Sequence, residues 1–160
     1  MIVHLKIKKA LVFINDSYAI ETMLSKLNFH GLSVDALFGA ANKNERQKAL
    51  EDFRRGKIRL LLTSDLGARG LDIPGTPYIF SLQMPEDESL YLHRAGRTGR
   101  AGQKGTAISL VTKNELPLIE KAKKSLNITM LPKITVYGKI FDFRKKTDGK
   151  PAHSKNEEKR

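Results

Sequence analysis

The chain has 160 residues, 40% hydrophobic and 29% charged, a balance that predicts one globular domain and excludes wholesale disorder or a protein built of membrane-spanning helices. Its 29 Lys and Arg against 17 Asp and Glu leave a net charge of +12, which points to an anionic partner, nucleic acid first, or else to a merely basic surface. Zero cysteines exclude disulfides and thiolate chemistry, and His4, His30, His93 and His153 show no zinc-ligand pairing, so no metal site is expected. Met1 to Leu5 leads into Lys6, Lys8 and Lys9 instead of a long apolar segment, which predicts no signal peptide, no membrane association and a cytoplasmic location.

In chain order, Ala10 to Ile14 is an apolar run of strand length closed by the loop cluster Asn15-Asp16-Ser17. Ile20, Met23, Leu24 and Leu27 recur at helical spacing, and Gly31 stops that helix. Ser33 to Leu37 reads as a second strand, Glu45 to Arg55 as a helix with Ala49, Leu50 and Phe53 inward, and Ile58 to Thr63 as a third strand. Tyr78 to Leu82 and Thr106 to Val111 supply two more strands, with helices over Glu88 to Ala95 and Glu115 to Ser125. Strands apolar throughout and separated by single helices predict an α/β fold, a parallel sheet with helices on both faces. Ligands of such sheets bind beyond the carboxyl ends of the strands, so the loops at Asn15, Phe38 to Asn42, Ser64 to Pro74 and Gly96 to Gly102 are expected on one edge. Residues 1–132 read as the domain and 133–160 as a basic, partly disordered C-terminal extension ending in a charged tail.

Two loops carry the chemistry. His93, Arg94, Arg97 and Arg100 crowd into one stretch punctuated by Gly96, Gly99 and Gly102. Guanidiniums so close repel one another unless an anion draws them together, and their planar forks suit phosphate oxygens. The bland alternative is a basic loop contacting nucleic acid without specificity. The second loop, Thr63 to Pro74, places two hydroxyls and the carboxylates Asp65 and Asp72 after a buried strand, where hydroxyls can meet a backbone phosphate and Asp72 a ribose. Its structural alternative has Asp65 capping a short helix and pairing with Arg69.

Ser64-Asp65-Leu66-Gly67-Ala68-Arg69-Gly70-Leu71-Asp72-Ile73 and His93-Arg94-Ala95-Gly96-Arg97-Thr98-Gly99-Arg100 together resemble motifs V and VI of the DEAD-box RNA helicases, in family order and spacing. Leu11 to Asn15 is similar to motif IV, and the resemblance covers residues 8–130. It implies the C-terminal RecA-like lobe of the helicase core, ATP with Mg2+ as the nucleotide, RNA as partner, and an N-terminal RecA-like lobe in the same polypeptide. The chain contains no Gly-x-x-x-x-Gly-Lys-Ser/Thr stretch and no Asp-Glu-Ala-Asp sequence, so the phosphate cradle and the metal ligands are expected on that first lobe. This chain alone is therefore not expected to hydrolyse ATP, and it reads as part of a longer protein.

Carried over position by position, the resemblance implies that Arg97 and Arg100 are catalytic arginine fingers on the γ-phosphate and that Asp72 joins them in nucleotide binding, at the ribose. It implies that His93 and Arg94 couple the ATP and RNA sites, and that Gly39, Arg46 and Ser64 meet the RNA backbone. Lys43 stands where the family has glutamine, and Phe38-Gly39-Ala40 where it often has His-Gly-Asp. Two rivals stay open: a stand-alone, non-enzymatic RNA-binding module using the basic tail, and a DNA helicase lobe or non-translocating ATPase.

Overall fold

The computed structural model describes residues 2–3, 5–37, 42–73, 75–99, 102–137 and 139–143. They fall into two compact units, 2–130 and 131–143. In the first, five parallel strands, β1 (Ala10–Phe13), β2 (Val34–Leu37), β3 (Leu60–Thr63), β4 (Tyr78–Ser81) and β5 (Thr106–Ser109), lie in the order β2-β3-β1-β4-β5. Register aligns Ala10 with Leu60 and Tyr78, and Tyr78 with Thr106, so all five strands point the same way from a common edge.

The helices are α1 (Ser17–Phe29), α2 (Lys43–Arg54), the single turn α3 (Asp65–Ala68), α4 (Glu88–Ala95) and α5 (Leu116–Ser125). The connection from β1 to β2 runs along the sheet against those from β2 to β3 and β4 to β5. Right-handed crossovers then put α1 on one face and α2 and α4 on the other. Burial agrees. Leu11, Phe13, Leu61 and Ile79 pack with Ala49, Leu50 and Phe53 of α2. Alternation leaves Val12, Leu60, Leu62 and Phe80 for the opposite face, all of them buried, and α1 contributes the buried Ile20.

Cap chemistry sets the helix starts. The Asp16 carboxylate accepts from Tyr18 N at 2.9 Å. Asn42 Oδ1 accepts from Glu45 N at 2.9 Å while Glu45 Oε2 accepts from Asn42 N at 3.2 Å, a reciprocal box whose cap residue alone is worth about 1 kcal/mol. Each predicted element is present within a few residues of its expected span.

The second unit holds what the sequence pattern left unassigned. Inside the segment expected as a basic extension, β6 (Lys133–Val136) and β7 (Lys139–Asp142) form an antiparallel pair that sets Ile134 opposite Phe141 and Lys133 in an ion pair with Asp142. Residues 144–160, where the basic tail was expected, lie outside the described residues. Among the described residues, no helix is long and apolar enough to cross a membrane.

Candidate functional site

Arg94 organises the carboxyl edge of the sheet. The Asp87 carboxylate caps α4 by accepting from Ser89 N at 2.7 Å, and the Ser89 bonds hold its carboxyl below the usual range. Near the other end of the helix Arg94 turns inward and is 2% exposed. Its Nε and Nη2 donate to the two Asp65 oxygens at 2.9 and 2.5 Å, Nη2 also donates to Asn15 Oδ1 at 2.6 Å, and Nη1 donates to the Gln83 carbonyl at 3.1 Å. The guanidinium also lies 5.2 Å from the centre of the Phe13 ring. Asn15, Asp65 and Gln83 follow β1, β3 and β4, which are adjacent, so one buried side chain ties three strand ends together. Desolvating a guanidinium is tolerable only with such complete pairing. Arg94 thus acts by holding Asp65 and α3 in place, while His93, beside it, is exposed.

The alternative in which Asp65 caps a short helix and pairs with Arg69 is corrected on both counts. Ser64 is the cap: its Oγ accepts from Gly67 N at 3.0 Å, and the Asp65 partner is Arg94. A cap hydroxyl accepts through a lone pair and keeps its own hydrogen for an outside acceptor. Gly67 admits no side chain, because a Cβ there would sit 2.7 Å from the Leu37 carbonyl oxygen and 2.9 Å from Thr63 Oγ1. Its carbonyl accepts from Arg46 Nη2 at 2.8 Å, whereas Arg46 Nε is buried without a hydrogen-bond partner among the described residues. Ser64 and Arg46 therefore converge on α3 with donor capacity left over, a set suited to a phosphate. Gly39, assigned to the same contact, lies outside the described residues.

The expectation that all the loops share one edge is also corrected. A segment that follows a helix and leads into a parallel strand arrives at the amino end of that strand, and the stretch from α4 to β5 does so. Thr76 anchors it: the Thr76 N–H donates to Arg97 O at 3.0 Å, the Thr98 hydroxyl donates to Thr76 O at 2.5 Å, and Thr76 Oγ1 donates to Lys9 O, just before β1, at 3.3 Å. Gly105 must be glycine here, since a Cβ would overlap Thr98 and the Gly99 nitrogen. Arg97 is half-buried, and no described carboxylate pairs with it. Arg100 lies outside the described residues.

Asp72 belongs to this second locus. Its side chain is 89% exposed and pairs at 3.3 Å with Arg54, whose own carbonyl accepts from Lys9 Nζ. A groove of about 300 Å³ runs between α2 and the Gly70–Asp72 segment, lined by Lys43, Arg46, Gln47, Leu50 and Arg54 on the helix side. The candidate site is thus two loci, phosphate donors at the carboxyl edge and a carboxylate with an arginine at the amino edge, joined by the segment from Ser64 to Thr76. Thr76 and Arg54 were missed. Thr76 carries no sequence signal beyond being a hydroxyl near a turn, and Arg54 was visible only as one of two arginines before the helix-stopping Gly56. Among the described residues, no group of three or more His, Asp or Glu side chains could hold a metal ion.

Comparison with known proteins converges on one family. Residues 1–102 match the helicase conserved C-terminal domain. The chain is 40% identical over 124 residues to the DEAD-box ATP-dependent RNA helicase CshC of Bacillus cereus, a match covering 77% of this chain and 32% of that protein. Among solved structures, it superposes with a TM-score of 0.70 and 34% identity on the Escherichia coli DEAD-box protein SrmB bound to regulator of ribonuclease activity A, covering 74% of this chain and 69% of that one. On the C-terminal domain of the DEAD-box protein Dbp5 the score is 0.69 with 33% identity, covering 76% and 72%. The chain spans about a third of the length of the curated relatives it matches.

Proposed function

We propose, from the premise that this chain belongs to the helicase conserved C-terminal domain family and is the C-terminal RecA-like lobe of a DEAD-box protein, that it is the second half of an ATP-driven machine that locally unwinds or remodels RNA. RNA and ATP bind across two lobes of one polypeptide, and the first lobe supplies the phosphate cradle and the Mg2+ ligands. Ser64, Arg46 and Gly39 grip the sugar-phosphate backbone of one strand, which makes binding largely indifferent to sequence. At the second locus Asp72 accepts hydrogen bonds from the nucleotide sugar, and Arg97 with Arg100 meets the γ-phosphate. Water attacks the γ-phosphorus in line and ADP leaves. The arginines neutralise charge gathering on the equatorial oxygens and are worth about 10³ to 10⁵ in rate. ATP and RNA each favour the closed arrangement of the lobes, so each strengthens binding of the other, and hydrolysis resets the cycle.

The observation that carries this reading is the docking of the Arg97 segment onto the segment that bears Asp72, through Thr76. It supports a nucleotide locus that is separate from the phosphate donors around Ser64 yet continuous with them along the chain. The test is made in the complete two-lobed protein. Arg97→Ala should abolish RNA-stimulated ATP turnover while RNA binding stays close to wild type. Turnover that survives the substitution overturns the assignment.

A further inference from the structure

Arg54 has no part in the motifs, yet the fold invests in its position. It ends α2 directly after Phe53, which is completely buried in the core. Its carbonyl accepts from Lys9 Nζ at 3.3 Å, and that ammonium also lies 4.6 Å from the centre of the Phe53 ring. A cation at a helix C-terminus satisfies an otherwise orphaned carbonyl and complements the helix dipole. The backbone of Arg54 is therefore a fixed platform. From it the guanidinium reaches the Gly70–Asp72 segment: Nη2 donates to the Asp72 carbonyl at 2.6 Å and approaches Asp72 Oδ2 at 3.3 Å.

The two distances divide the work. The short, charge-assisted bond fixes where the Asp72 backbone stands, and the longer one engages Oδ2 alone on a carboxylate that stays 89% exposed, with lone pairs left to accept. A carboxylate that must receive hydroxyl hydrogens from a sugar needs both a held backbone and exposed lone pairs. We infer that Arg54 is the positioning residue that presents Asp72 to the sugar hydroxyls of the bound nucleotide, and so sets the preference of the site for ribonucleotides over deoxynucleotides. This rests on the reading of Asp72 as the sugar-binding carboxylate.

The test compares KM and kcat for ATP with those for 2′-deoxy-ATP and 3′-deoxy-ATP, in the complete two-lobed protein and in the variants Arg54→Ala, Arg54→Lys and Asp72→Ala. Wild type should prefer ATP over at least one analogue by about tenfold, the scale of one hydrogen bond to a charged group. Asp72→Ala should erase that preference. Arg54→Ala should erase most of it, with KM for ATP rising toward that of the analogue and the loss carried by KM more than by kcat. Arg54→Lys, which keeps a donor for the Asp72 carbonyl, should restore part of it. If Arg54→Ala weakens ATP and both analogues alike and the preference persists, Arg54 is merely structural and the inference is overturned while the reading of Asp72 stands. If Asp72→Ala leaves the preference intact, that reading falls and the inference falls with it.

Discussion

Removing the Arg94 guanidinium would leave the Asp65 carboxylate and Asn15 Oδ1 without their donor and free three strand ends at once. Stranding a buried charge costs about 3 to 5 kcal/mol, and Asp65, partly open to solvent at 23%, places the loss near the lower figure. Arg94→Ala should therefore lower the unfolding free energy by about 3 kcal/mol in urea titration, whereas a loss below about 1 kcal/mol would mean that solvent replaces the guanidinium. The sequence displays Arg94 and Arg97 as neighbours in one arginine cluster drawn together by an anion. The fold turns the Arg94 guanidinium to the carboxyl edge of the sheet while the Arg97 backbone is held at the amino edge, because spacing along a helix fixes the direction of a side chain but not which carboxylate it meets. Arg94 finds Asp65 inside its own lobe, and Arg97 is placed through its backbone by Thr76, which no motif marks.

Elements were legible wherever burial was thorough. β1 and β3 are nearly inaccessible throughout, so they appear in the sequence as unbroken apolar runs, and α2 shows its core face at helical spacing. The pair β6 and β7 was not legible, since its alternation of Lys133, Ile134, Thr135 and Val136 leaves every one of those residues exposed and resembles a polar tail. Connections depend on polar contacts that periodicity does not register. Glu115 is the clearest case: its carboxylate accepts from Thr112 N and Oγ1 and from Met84 N, tying the connection after β5 to the one after β4. The Thr112 backbone bond, helped by Met84, holds the Glu115 carboxyl below its usual 4.5. A depressed carboxyl pKa contributes stability that is present above the unfolded value and is lost as pH falls through the folded one. Thermal melting should accordingly show wild type above Glu115→Gln at pH 7, with the gap closing below about pH 4. A gap that stays constant down to pH 3 would show that ionisation of Glu115 contributes nothing.

For the molecule as a whole, the net charge of +12 should make the proposed affinity for RNA a function of salt. Residues 144–160 hold seven lysines and arginines against three carboxylates, which motivates the reading of a basic arm. Ending the complete protein after Phe143 should flatten the plot of log affinity for single-stranded RNA against log salt by about 0.7 for each phosphate contact removed. An unchanged slope would show that this segment touches no phosphate. The α/β class was legible from the alternation of runs and helices. The division of the site between two edges was implicit in the same alternation, because a segment entering a parallel strand cannot lie where that strand ends.

The stretch from Ser64 to Thr76 is gripped at Ser64 by its cap bond, at Gly67 by Arg46, at Asp72 by Arg54 and at Thr76 by Lys9 and Thr98. One residue inserted or deleted between two of these grips changes the chain length that separates them, so the length of this stretch is as much a part of the machinery as its side chains. Grafts between relatives would have to conserve its register from one anchor to the next.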